Sequence, residues 1–118
     1  MPRLPFHATR QLLRPGCRDE VRRWAAEMNV RSAEVRETLA AEGIALELVL
    51  YEECDAGDRL YFVMQCEDLE RAVSIFLAST MPVDLAHRAF LERCVQERAV
   101  LEVLNCHYRD DEQPVGTS

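Results

Sequence analysis

His87 is the side chain best suited to acid/base chemistry in this sequence, because an unperturbed imidazole titrates close to neutral pH. It falls four residues after Val83 and three before Phe90, which on a helix puts it on the apolar side. Asp84 stands one turn earlier, where a carboxylate can accept a ring N–H and orient the imidazole. The alternative is that Asp84 caps the helix and His87 is a satisfied histidine at the edge of the core. A second set is Arg10 and Arg31. Two planar guanidiniums converging on a cleft would hold a carboxylate or phosphate bidentately; alternatively they pair internally with Glu47, Glu34 or Glu42, since buried charges need partners. Glu47 and Tyr61 form the third set, with Tyr51 and Gln65 expected beside them on one sheet face. They suit either a polar cavity for a sugar or hydroxy acid or the wet interior of a subunit interface. Trp24, the lone tryptophan, can stack on a substrate ring or serve as core.

Several chemistries are excluded. The chain has no Gly-rich phosphate loop, no G-x-S-x-G elbow and no H-E-x-x-H pair. All 14 basic residues are arginine, so a lysine Schiff base is impossible. The five cysteines, at 17, 54, 66, 94 and 106, include no C-x-x-C pair and read as reduced thiols acting as small hydrophobes. No metal site and no cofactor is expected, which leaves acid/base or electrostatic catalysis if the protein is an enzyme at all.

The elements that must position these residues begin with a strand over 5–13, stopped by Arg14-Pro15-Gly16. One long amphipathic helix follows, carrying Val21, Trp24, Ala25, Met28, Val35 and Leu39 on one stripe and ending at Glu42 with Gly43 as its C′ residue. Two strands then flank Asp55-Ala56-Gly57. Read as a three-residue hairpin loop, this turn pairs Leu50 with Phe62, Leu48 with Met64, Leu46 with Cys66 and Cys54 with Asp58. In that register Leu46, Leu48, Leu50, Leu60, Phe62, Met64 and Cys66 share one apolar face, and Glu47, Val49, Tyr51, Tyr61, Val63 and Gln65 share the other. Asp68 N-caps a second helix that ends at Ser79-Thr80-Met81-Pro82. A third helix runs from about Val83 to about Glu97, and a last strand spans 99–108.

The expected order is β-α-β-β-α-α-β. It is that of an α+β, ferredoxin-like four-stranded antiparallel sheet with the second α element in two pieces. Helices cover one face of such a sheet, so a mixed second face calls for a twofold partner, making a homodimeric α/β barrel. Residues 1–108 are expected to form one domain, with 109–118 a flexible tail.

Composition sets the class of partner. At 118 residues, 48% hydrophobic and 30% charged, the chain is an ordinary globular sequence of one-domain size. No apolar run reaches the roughly 20 residues that span a bilayer, and MPRLPFHATRQ lacks a signal-peptide core, so the expectation is a cytoplasmic protein without membrane partners. A net charge of −7 argues against nucleic acid, which is bound through basic surface; Arg18, Arg22 and Arg23 read as a solvated helix face. The use of arginine alone, with abundant alanine, valine and leucine, hints at a GC-rich bacterial genome.

The spacing of many of these residues also resembles a bacterial and archaeal family of small domains of unknown function in the dimeric α/β-barrel superfamily. The matching pieces are Arg10 before Pro15-Gly16, then Trp24, Met28-Asn29, Arg31, Glu34, Thr38-Leu39 and Glu42-Gly43. They continue with Glu47, Tyr61 and Met64, and with Ser79, Pro82, Asp84, His87, Phe90 and Cys94, so that they span most of the chain. The resemblance implies the fold and a homodimer and assigns no reaction. Its superfamily holds sugar mutarotases, cofactor-free monooxygenases, haem-degrading enzymes, lactone isomerases and plain ligand binders, among which fold cannot choose. The reading from sequence is therefore a homodimer binding a small polar or anionic metabolite, with His87 as acid/base oriented by Asp84, and Arg10, Trp24, Arg31, Glu47 and Tyr61 as substrate contacts. The alternative is a non-catalytic structural or regulatory dimerisation module.

Overall fold

A computed structural model describes residues 3–110. The elements are β1 (Phe6–Leu13), α1 (Arg18–Val30), α2 (Ser32–Glu42), β2 (Ile44–Glu52), β3 (Arg59–Cys66), α3 (Leu69–Ala78), α4 (Pro82–Cys94) and β4 (Val95–Leu101). The strands form one antiparallel sheet in the order β2-β3-β1-β4. That is the ferredoxin-like α+β arrangement, in which each crossover carries two helices.

Three boundaries differ from the sequence expectation. The first helix is two: the chain breaks at Arg31, with φ −93° and ψ 29°. A straight helix from Arg18 to Glu42 would be about 37 Å long and overhang strands of about 27 Å, whereas the break lets both halves lie on the sheet. Secondly, α4 stops at Cys94, and β4 starts at the next residue and ends at Leu101. The carbonyl of Cys94 accepts from Arg14 N–H at 2.8 Å, and Val95 pairs with Leu13, so the neighbouring strand captures this segment in place of another helical turn. Thirdly, residues 102–108, expected to be strand, leave the sheet and return over β3 and the N-terminus. There the Tyr108 ring lies 3.8 Å beneath the Arg3 guanidinium. Arg109 and Asp110 belong to a turn, and the remainder of the expected tail, 111–118, lies outside the described residues.

The hairpin register is one residue away from the expected one. Leu50 opposes Tyr61, Leu48 opposes Val63, Leu46 opposes Gln65, and the last pair is Glu52 with Arg59. Six residues, 53–58, therefore form the connection. The cause is Asp58. Its carboxylate accepts from the Cys54 N–H at 3.0 Å, the Tyr51 hydroxyl at 2.9 Å and Arg18 Nε at 2.8 Å, and so is taken out of the ladder where Cys54 would have paired with it. Gly57 still supplies the positive φ, at 125°.

Because side chains alternate in a strand, a one-residue slip exchanges the two faces of β2 relative to β3. Glu47, Val49 and Tyr51 join Leu60, Phe62 and Met64 on the helix-covered face. Leu46, Leu48 and Leu50 join Tyr61, Val63 and Gln65 on the open one, and stand 45–49% exposed. A bulge at Ala45 resets the parity, so that Ile44 still enters the core beside Cys66. The core lies between the sheet and the helices, around Leu13, Val21, Trp24, Leu60, Phe62, Phe90 and Cys94.

Candidate functional site

A half-open cavity of about 830 Å³ separates the covered face of the sheet from the helices. Each wall follows from local structure. From β1, alternation turns Thr9 and Gln11 inward; from β2 come Glu47, Val49 and Tyr51; from β3, Leu60, Phe62 and Met64. The stripe of α1 presents Trp24 and Met28. On α2, Thr38 and Glu42 are one turn apart on a single face, as are Asp84 and His87 on α4. Thr38 Oγ1 donates to Asp84 Oδ2 at 2.6 Å and ties α2 to α4 across the cavity floor.

Apolar surface dominates the lining, and the rings are grouped. Trp24 stacks on Phe90, with centroids 4.5 Å apart and planes 5° from parallel. His87 is enclosed by Trp24 at 5.2 Å, Phe76 at 4.9 Å and Phe62 at 5.8 Å. Three buried polar atoms of cavity residues have no partner among the described residues: Gln11 Oε1, Trp24 Nε1 and His87 Nε2. Each such atom costs about 1–3 kcal/mol when it is left unpaired.

The electrostatics are acidic and strongly perturbed. Burial, reinforced by the nearby charges of Asp84 and Glu47, pushes the Glu42 carboxyl up to about 8. Burial and Asp84 push Glu47 up to about 7. Burial drives His87 down to about 4, with the Asp84 charge opposing it, so the imidazole is neutral at physiological pH. Asp84 acts on His87 through charge, while its carboxylate accepts the Thr38 hydroxyl; the ring N–H to carboxylate bond expected from their spacing is absent among the described contacts. Among the described residues no three His, Cys, Asp or Glu side chains are grouped to hold a metal ion.

The residues singled out from sequence separate into two groups. Trp24, Glu47, Asp84 and His87 line the cavity. Arg10 and Tyr61 do not: they face each other as neighbours on the open side of the sheet, where the Tyr61 hydroxyl donates to Glu52 at 3.0 Å. Arg31 sits at the break between α1 and α2, its guanidinium held by both carboxylate oxygens of Glu34, at 2.8 and 3.1 Å, with Glu27 3.9 Å away. The two arginines thus form no shared anion clamp, and internal pairing accounts for Arg31. Gln11, Thr38 and Glu42 were not singled out as site residues. The usable signals were the i, i+4 spacing of Thr38 and Glu42 on the face that carries Val35, and the placing of Gln11 between Thr9 and Leu13 in a strand.

A model described as "Family of unknown function (DUF6176)" matches residues 5–112. The chain belongs to this family. No curated protein matches the DUF6176 chain at a significant level. Among solved structures, a protein provisionally named an antibiotic biosynthesis monooxygenase, from Chloroflexus aurantiacus J-10-fl, superposes with a TM-score of 0.46 at 14% identity. The match covers 88% of this DUF6176 chain and 98% of the other.

Proposed function

We propose that this protein binds a small, largely apolar metabolite bearing a few polar groups in the cavity between sheet and helices, and catalyses a cofactor-independent proton transfer on it, as an isomerase does. The observation that carries this reading is that three residues lining one cavity each hold a buried polar atom with no partner among the described residues: Gln11 Oε1, Trp24 Nε1 and His87 Nε2. A fold that needed these groups only for packing would pair them. Glu47, with its carboxyl near 7, exists in both protonation states at working pH and is the proton carrier. Neutral His87 positions the substrate through Nε2, and Trp24 supplies a stacking wall. Arg10 and Tyr61 then belong to the open face. There the exposed Leu46, Leu48 and Leu50 favour closure by a second copy of the chain, giving a cytoplasmic homodimer. That same stripe is what a purely structural dimerisation module would also display, and it keeps the non-catalytic reading as the rival.

His87→Phe separates the two. If His87 serves a ligand, phenyl fits the aromatic enclosure, removes an unpaired nitrogen and stabilises the protein by about 1–2 kcal/mol, a rise of several degrees in Tm. Compounds that bind the wild type in a ligand-observed NMR screen of metabolites then bind the variant at least tenfold more weakly. Should His87→Phe lower Tm and leave such binding untouched, the residue is a packing group and the catalytic reading fails.

A further inference from the structure

We propose that the cavity selects a cationic nitrogen: its ligand is a small amine, carried on an apolar body, that also bears a hydrogen-bond acceptor. This deepens the cavity reading above and rests on it. Glu42 from α2, Glu47 from β2 and Asp84 from α4 face one space, and Glu42 and Asp84 are 7% and 2% exposed. Carboxylates are rarely buried without a counter-charge, because desolvation costs several kcal/mol per ion. Among the described residues no arginine pairs with any of the three. The described ion pairs run elsewhere, such as Arg18 with Asp58, Arg22 with Glu53, Arg31 with Glu34 and Arg93 with Glu20. The basic groups that line the cavity are Arg36 and Arg98, both exposed, with Glu92 and the Tyr51 phenol as its other titratable neighbours.

The neutral groups agree with a cation. Gln11, 5% exposed, lines the same space; its Oε1 has no partner among the described residues, while its Nε2 is already donated to Thr9 Oγ1 at 2.8 Å. An ammonium N–H is its complement. Trp24, Phe62 and Phe76 line the same space, and aromatic walls attract cations through their ring quadrupole. Trp24 Nε1, a donor without an acceptor among the described residues, calls for an acceptor elsewhere on the same molecule, so an amino alcohol or amino ketone fits better than a plain alkylamine. Burial and the neighbouring carboxylates raise Glu42 and Glu47, so a cation bound between them would release their protons.

The test uses the full chain and two matched triads, one aryl and one cyclohexyl. The aryl triad is 2-amino-1-phenylethanol, its neutral counterpart 1-phenyl-1,2-ethanediol and the anion mandelate. Affinities are read at pH 7 by ligand-observed NMR. The expected result is binding of the amines at least about tenfold tighter than the diols, a difference lost in both Glu42→Gln and Glu47→Gln. Calorimetry on the wild type in buffers of different ionisation heat provides a second reading: amine binding releases protons into the buffer and diol binding does not. If diols or carboxylates bind in the cavity as well as the amines, the preference for a cation is wrong and the cavity reading stands. If none of the six binds at millimolar concentration, both fall.

Discussion

Replacing Glu47 with glutamine should make this protein more stable, by an amount that depends on pH in a defined way. Glu47 has an ordinary value of 4.5 when unfolded and about 7 when folded, because burial beside Asp84 penalises its charge. A carboxyl whose folded value lies above its unfolded one holds its proton more tightly in the native state, so stability falls as pH rises from 4.5 to about 7 and stays low above it. Moving one carboxyl that far costs the folded state about 3 kcal/mol. Charge shared with Glu42, and solvent entering the half-open cavity, bring the expected gain from Glu47→Gln to about 2 kcal/mol at pH 8, shrinking to below about 0.5 kcal/mol near pH 4.5. His87 carries the opposite sign: its folded value of about 4 lies below the ordinary 6.5, so its contribution is complete above 6.5 and is lost as pH falls toward 4. It is present in both proteins and cancels from the difference. Urea denaturation followed by the fluorescence of Trp24, the single tryptophan, at fixed protein concentration and half-unit pH steps gives the two curves. A gap that is constant with pH, or a variant less stable than wild type at pH 8, would refute the buried-carboxyl account.

Two substitutions test other parts of the molecule. Leu48→Arg puts a charge at the centre of the open-face stripe, where the side chain is 48% exposed in the monomer; sedimentation should show the wild type as a dimer and the variant as a folded 13.6 kDa monomer, and a wild type already of that mass would end the dimer proposal. Gly57→Ala forces an L residue to φ 125° and places its Cβ 2.9 Å from Leu12 Cδ1, so the urea midpoint should fall by the equivalent of about 1–3 kcal/mol; an unchanged midpoint would mean that the hairpin connection relaxes without cost.

The fold was legible because its signals are local and mutually consistent. Asp68 caps α3 by accepting from Arg71 N–H at 3.1 Å, and Gly43 closes α2 at φ 75°, each where residue type demands it; Pro82, read as part of the stop after α3, is instead the first residue of α4. The break at Arg31 was hidden because an apolar stripe from Val21 to Leu39 reads equally well on one helix or two. The start of β4 was hidden for a related reason. Cys94 and Val95 continue the periodicity of α4, and only pairing with Leu13, some eighty residues away in the chain, makes Val95 a strand residue.

The site turned on one choice that the hydrophobic pattern could not make. Both faces of β2 carry large apolar groups, Leu46, Leu48 and Leu50 on one, Val49 and Tyr51 on the other, so either register buries enough surface. What breaks the tie is the carboxylate of Asp58, which bonds the Cys54 N–H and thereby fixes the parity of every pair above it. Asp58 is held well below the usual carboxylate range, at about 2, by Arg18 and by its backbone and Tyr51 bonds, so it stays charged over the whole working pH range. With that parity Glu47 enters the cavity beside Asp84 and Glu42, and the leucines turn outward. With the other, Glu47 would join Arg10 and Tyr61 on the open face, where a guanidinium and solvent would leave it an ordinary acid. The acid/base character of the cavity and the apolar face offered to a second chain are therefore consequences of the same turn, set by a residue that lines neither.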